Sequence, residues 1–290
     1  MYARRVLVTG VGGPSGRAAV TALRARGFTL IATDMRPVEH EGHSFFQVPP
    51  ASDAGFAAAL TELIARERVS WLFPTVSEEL VTVAELAPAL RAQGTAVFIP
   101  SPEATRLCHD KWDTAHALAV RGLAVPKSAL GRAEDSAVLA LGLPLVSRPR
   151  VGRGGRGVVV HDAPGTAPAV PDPLWQEFLP GSEYDVLLVR DPRAPHRLLM
   201  QQVFEKTALK DGRVGNAVDV RPVEAEDVAR LAAAVAAALD LRGPADMDIR
   251  RGSDGVARLL EINARIGAHA LRAPQLFDAL VALFESGCRG

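Results

Sequence analysis

The chain has 290 residues, 48 % apolar and 23 % charged, which allows a sizeable buried core and one to three compact units. Its 33 basic and 33 acidic residues cancel, excluding a global field that would recruit nucleic acid or an anionic membrane surface. No apolar run approaches the ~18 residues of a membrane span, and the two distant cysteines, Cys108 and Cys288, exclude a disulfide framework and point to a reducing, cytoplasmic setting.

The predicted elements begin at once. "RRVLVTG" reads as a buried strand, with no signal-peptide h-region or cleavage site before it. "SGRAAVTALRARG" reads as a helix with Ala19, Val20 and Leu23 inward and Gly27 as its stop. A strand "FTLIATD", a helix "AGFAAALTELIARERV", a strand "SWLFPT", a helix "EELVTVAELAPALRAQG" and a strand "TAVFIP" follow. Alternating strands and helices imply a parallel sheet with right-handed crossovers. This first α/β unit is expected over residues 1–102, closing at Pro100 and Pro102.

Next comes a helical region, "PEATRLCHDKWDTAHALAVRG", and another expected helix, "LAVPKSAL". A strand–loop–strand, "PLVSRPRVGRGGRGVVV", and a turn-rich connection, "APGTAPAVPDP", lead into strands at "LWQEFLPGSEYDVLLVRD", "HRLLMQQVFEKTAL" and "RVGNAVDVRPV". An alanine-rich helix over 224–241, strands "ADMDIRR" and "VARLLEINAR", and a helix "APQLFDALVALFESG" complete an α+β half. The apolar last helix serves either as core or as an interface in a homodimer.

Only four lysines occur (Lys111, Lys127, Lys206 and Lys210), and the preference for arginine, with abundant alanine, is what a GC-rich coding sequence produces. "TGVGGPSG", between a strand and a helix, matches T-G-x-x-G-x-x-G at Thr9, Gly10, Gly13 and Gly16, with Asp34 ending the next strand where a ribose-binding acid would sit. That pattern resembles short-chain NAD(P)-dependent reductases. Their Tyr-x-x-x-Lys pair is absent, because Tyr2 and Tyr184 are followed four residues later by Val6 and Leu188. The alternative is a tight turn that needs glycine for close packing, its helix N-terminus free to receive an anionic group.

Two features carry chemistry. In "DMDIRRGSDGVARLLEINAR", a hairpin turning at "RGSDG" brings Asp248, Glu261 and Asn263 to one face. Two carboxylates and an amide oxygen are hard donors suited to Mg²⁺, and an acid between Leu260 and Ile262 is costly unless paired or metal-bound. Surface strands that simply alternate acids are the other reading. The loop "SRPRVGRGGRG" sets four arginines among four glycines, so backbone amides and guanidinium groups can together wrap phosphate. It has no G-K-[ST], and a solvated turn is the alternative.

These segments together resemble an ATP-grasp enzyme, most closely the half-modules of the carbamoyl phosphate synthetase large subunit and their stand-alone relatives. "LVTGVGGPSG", "DKWDTAHALAVRGLAVPKS", "PLVSRPRVGRGGRGVVV", "WQEFLPGSEYDVLLV", "GPADMDI" and "LLEINARIG" occur in the family's order over nearly the whole chain. The resemblance implies a Rossmann-like pre-ATP-grasp domain over 1–102, then a two-subdomain ATP-grasp fold with a small lid-bearing part over 103–175 and a metal-bearing part over 176–290. It implies ATP and Mg²⁺ as cofactors. Lys111 and Arg148 would reach the ATP phosphates, and the lid with Arg153, Gly154, Gly155 and Gly157 would cover them. Glu177 and the Leu179 backbone would meet the adenine edge, and Glu183 the ribose hydroxyls. Asp248, Glu261 and Asn263 would hold the metal, with Arg265 and Arg148 stabilising the transferring phosphoryl group. The family's N-P-R is N-A-R here, and Asp248 stands where the synthetases carry glutamine. Neither a glutamine-hydrolysing segment nor a second half is present in these residues, so the implied reaction is ligation of a small-molecule carboxylate to an amine-type nucleophile through an acylphosphate. A non-catalytic nucleotide-binding module is the remaining alternative. Gly13, Ser15, Glu78 and His269 are expected at the acceptor substrate; for Glu78, a plain helix start at Ser77 competes.

Overall fold

The computed structural model of the chain describes residues 4–152, 154–163, 167–194 and 196–287. It contains three sheets. The first is parallel and is formed by β1 (Arg5–Val8), β2 (Thr29–Asp34), β3 (Ser44–Gln47), β4 (Trp71–Phe73) and β5 (Ala96–Val97) in the order β3-β2-β1-β4-β5. The helices α1 (Pro14–Ala25), α2 (Phe56–Arg66) and α3 (Leu80–Ala92) connect these strands. Val6, Leu7 and Val8 are fully buried because both faces are covered. Val6 and Val8 meet Leu23 and Phe277 on one side, while Leu7 meets Leu60, Leu72 and Leu90 on the other. The sequence reading missed β3: consecutive Phe45 and Phe46 show no alternation, and the strand is a half-buried edge.

Two helices follow, α4 (Pro102–His109) and α5 (Lys111–Val120), split at Asp110. Its carboxylate accepts from the Trp112 and Asp113 amides and so starts a new helix. The second sheet is antiparallel, β6-β9-β7-β8, from β6 (Ser128–Leu130), β7 (Leu145–Arg148), β8 (Val159–His161) and β9 (Leu174–Glu177), with the short α6 (Ser136–Leu139) against it. The helix expected at "LAVPKSAL" is not formed. Pro126 biases Val125 to extended backbone, and the segment runs into β6, where Ala129 pairs with Trp175. Because β9 belongs to this sheet, the expected division between 175 and 176 falls inside a strand.

The third sheet is antiparallel, β12-β11-β10-β13-β14. It comprises β10 (Glu183–Arg190), β11 (Leu198–Leu209), β12 (Ala217–Pro222), β13 (Gly243–Arg251) and β14 (Ala257–Asn263), with α7 (Glu226–Ala238) on one face. Val186, Leu188, Met247 and Ile249 pack on Val228, Ala232 and Val235 of α7. Alternation turns Glu183, Asp185, Asp246 and Asp248 to the opposite face. Further along that face of β10, Leu187 and Val189 join the core of the first unit. The last helix, α8 (Pro274–Gly287), closes that core, with Phe284 stacked on Trp71 at 5.1 Å between ring centroids. Its apolar face is therefore core. Among the described residues, no helix is long and apolar enough to cross a membrane.

Candidate active site

The three sheets meet around a cleft of about 710 Å³. One wall is the β1–α1 loop with Gly10, Gly13 and Ser15; the second carries Arg148, Gly154, Gly155, Glu177 and Leu179; the third carries Glu183, Asp248, Glu261, Asn263, Arg265 and His269.

A β-bulge sets the third wall. Asp248 pairs with Glu261 and Asp246 with Asn263, yet Ile249 pairs with Leu259, so Leu260 is the extra residue. Ala257 and Leu259 face α7; unbroken alternation would send Glu261 into that core. The bulge moves Ile262 there instead and turns Glu261 and Asn263 to the cleft.

The acids meet cations that arrive from other elements. Glu261 Oε2 accepts from an Arg148 Nη at 2.8 Å and lies 3.4 Å from Lys111 Nζ, which also donates to the Gly152 carbonyl at 2.7 Å. Burial lowers the Lys111 pKa, opposed by Glu261. Lys206 Nζ donates to Glu183 Oε1 at 2.7 Å and to Asp248 Oδ1 at 2.5 Å. Burial alone would depress this ammonium, but Asp248, Glu183 and Asp185 outweigh it and raise its pKa. Arg250 takes the other Glu183 oxygen at 3.1 Å. Arg265 donates to Asp246 Oδ2 at 3.2 Å and to Asn263 Oδ1 at 2.9 Å.

The expected site residues thus gather, with exceptions. Arg153 lies outside the described residues. Gly154, Gly155 and Gly157 all have φ near +70°, which glycine alone adopts cheaply, but Gly157 packs on Pro149 and Val170 and is not part of the cleft lining. Lys111 reaches the site only through Glu261 and Gly152. The carboxylates of Glu177 and Glu183 are already engaged, the first by the Lys127 amide at 2.9 Å, the second by Lys206 and Arg250. Glu78 is exposed and does not line the cleft; on this turn it is Glu79 that points inward.

Asn263 shares a face with Asp248 and Glu261 but turns its amide oxygen to Arg265. Among the described residues, no group of three His, Cys, Asp or Glu side chains is arranged to hold a metal ion by itself. The donor set nevertheless fits a hard divalent cation. Two carboxylates stand opposite each other, and their ion pairs use Asp248 Oδ1 and Glu261 Oε2, leaving one oxygen of each outside them.

The dinucleotide reading is not supported by the loop geometry. Asp34 spends its carboxylate on the Gly12 amide at 3.0 Å and the Arg36 amide at 3.3 Å. A Cβ on Gly16 would collide with the Gly10 carbonyl, so the glycines serve close packing.

Lys206, Asp185, Asp246 and Glu79 went unnoticed in the sequence. Lys206 carried a signal: it is one of only four lysines among 33 basic residues, and it sits in the middle of a strand. Asp185 and Asp246 each lie two residues from an acid that alternation turns to the same face.

Glu79 ties the end of β1 to the turn after β4 beside the cleft. Its Oε1 accepts from the Thr75 and Val76 amides, both at 3.1 Å, and from the Thr9 hydroxyl. Burial pushes its pKa from 4.5 to about 7 despite these bonds. As pH rises the unfolded chain releases this proton first, so stability falls between about 4.5 and 7. The expected loss reaches about 3 kcal/mol. Urea midpoints at pH 5 and pH 8 should diverge in the wild type and lie closer together in Glu79→Gln; equal divergence in both would contradict the assignment.

A family model for the ATP-grasp domain matches residues 108–269, and the chain belongs to that family. Phosphoribosylamine–glycine ligase of Streptomyces coelicolor is 34 % identical over 161 residues, 53 % of this chain and 38 % of the relative. The chain thus spans about two fifths of the length of the curated relatives it matches. The L-amino acid ligase of Bacillus licheniformis superposes with a TM-score of 0.69 at 16 % identity, over 92 % of this chain and 68 % of that one. Biotin carboxylase of Campylobacter jejuni, solved with a β,γ-ATP compound, gives 0.70 at 13 % identity, over 98 % and 70 %. These two are likenesses of fold.

Proposed function

We propose that the chain is an ATP-dependent carboxylate–amine ligase. A substrate carboxylate attacks the γ-phosphorus of ATP, ADP leaves, and an amine then displaces phosphate from the acylphosphate. The observation that carries this reading is the convergence on one cleft of Lys111 and Arg148 at Glu261, with Asp248 directly across the strand pair. Such phosphoryl transfer needs positioning and charge neutralisation rather than a protein nucleophile.

In this reading the segments 1–102, 103–175 and 176–290 are the acceptor, lid-bearing and metal-bearing parts, with the second boundary moved past β9. Arg148 and Lys111 neutralise the phosphates, Arg265 the transferring group, and the loop at Gly154 and Gly155 covers them. Glu177 and Leu179 border the base and Glu183 the ribose. Asp248 and Glu261, with Asn263 once released from Arg265, would hold Mg²⁺. When bound, that ion supplies charge neutralisation at the β- and γ-phosphate oxygens. Gly13 and Ser15 face the acceptor. The order of the motifs supports kinship with the carbamoyl phosphate synthetase half-modules, and the names of the ligases among the relatives support amide-type bond formation. A cytoplasmic setting supplies the ATP.

The test is a screen of carboxylic acids against amines with MgATP, reading ADP and phosphate. ADP release should require one class of acid, and that acid with hydroxylamine should yield a hydroxamate. Failure to bind nucleotide, or ADP release indifferent to every acid, would refute the reading.

A further inference from the structure

Beyond the phosphate-handling groups, the cleft contains a hydrogen-bonded His–Asp pair. His269 Nδ1 lies 2.7 Å from Asp185 Oδ2, and the ring lines the cleft four residues after Arg265. Asp185 is 3 % exposed, and Asp246, also buried, shares its face of the sheet. The two oxygens for which this pair finds no ordinary donor are Asp185 Oδ1 and Asp246 Oδ1, both buried. A carboxylate oxygen accepts, so Asp185 Oδ2 takes a hydrogen bond from His269 Nδ1–H. That fixes the tautomer: Nε2 is the acceptor, with no hydrogen bond among the described residues, on a ring that lines the cleft. Burial lowers the His269 pKa, among the surrounding charges of Asp246, Lys206, Asp248 and Arg272, and keeps the ring neutral.

We infer that His269 is the proton acceptor for the incoming amine, with Asp185 as its positioning residue. The inference rests on the ligase reading and adds to it a step the phosphate-binding groups cannot perform. The amine lone pair forms the C–N bond to the acyl carbon of the acylphosphate. The attacking nitrogen must shed a proton, which passes to Nε2. The C–O bond to phosphate breaks with its electron pair on oxygen, and the imidazolium passes the proton to the departing phosphate. Amide and hydrogenphosphate result, and the ring returns to its starting state.

Hydroxylamine separates this role from a structural one, because the nitrogen of its adduct is acidic enough to lose its proton to water. With the acid identified in the screen, ammonia and glycine serve as amines and hydroxylamine as the comparison. In His269→Gln, amide formation should drop ~100-fold or more, while hydroxamate formation drops less than about tenfold. Asp185→Asn should shift the same ratio in the same direction. Histidine ¹⁵N NMR of the wild-type chain should show His269 protonated on Nδ1, a signature lost in Asp185→Asn. Equal losses with both nucleophiles, or an Nε2–H tautomer, overturn the role of His269. An unchanged ratio in Asp185→Asn removes Asp185 from it. If the wild type forms neither amide nor hydroxamate with any acid, the ligase reading fails and this role with it; equal losses in an active enzyme reject the base alone.

Discussion

Glu261→Gln is expected to abolish acid-stimulated ADP release, with kcat falling on the order of 10³-fold, the scale of removing a preorganised charge from a water-excluded site. The change keeps the shape of the side chain and removes only its charge. Glu261 Oε2 is the shared partner of Arg148 at 2.8 Å and Lys111 at 3.4 Å. Without that charge the two cations gathered at one oxygen lose their shared counter-charge. Lys111, already depressed by burial, loses the main influence holding it protonated. One of the two oxygen ligands proposed for the divalent cation is also weakened. Steady-state ADP release, with circular dichroism to confirm the fold, checks the result; a variant that turns over at the wild-type rate removes Glu261 from the mechanism.

Lys206→Met should be the most destabilising single change at the cleft, by about 3 kcal/mol, the lower end for breaking a buried pair from one side. The ammonium lies between Glu183 and Asp248, with side-chain exposures of 10 % and 29 %. Glu183 keeps Arg250, whereas Asp248 loses the only ion-pair partner described for it. The sign with pH follows. In the variant Asp248 is left as an unpaired charge, so the deficit is present near neutrality. It shrinks as acid removes that charge, towards the ordinary carboxylate range near pH 4. Urea midpoints of wild type and variant at pH 7 and pH 4.5 measure it. A gap that widens in acid would show that the lost packing of the lysine stem, not its charge, dominates.

Residues whose signal is local were legible in the sequence. The strands around Leu7, Ile31 and Leu72 are short apolar runs between glycine and helix signals, and they form the parallel sheet expected of them. The hairpin bearing Asp248 and Glu261 was readable from its polar turn. Its register was readable only in outcome, because the bulge at Leu260 leaves no composition signature. "LAVPKSAL" misled because Ala and Leu favour helix while the restraint from Pro126 acts on one neighbour. Lys206, Asp185 and Asp246 lay beyond reach for a different reason. Each gains its meaning from a strand tens of residues away, through pairings such as Asp185 with Asp248 that only the sheet order creates. Glu78 and Glu79 show the limit at its narrowest, since one step along a turn decides which acid is buried.

The ion pairs lining the cleft have a thermodynamic corollary. Arg148, Lys111, Lys206 and Arg265 each already face a carboxylate, so the walls are electrically balanced before any guest arrives. A highly charged anion entering alone must pry Arg148 from Glu261 and leave like charges opposed. A lone cation must likewise compete with Lys206 for Asp248. A guest whose own charges are largely compensated disturbs neither arrangement, so stoichiometry of charge, as much as shape, governs what this chain admits.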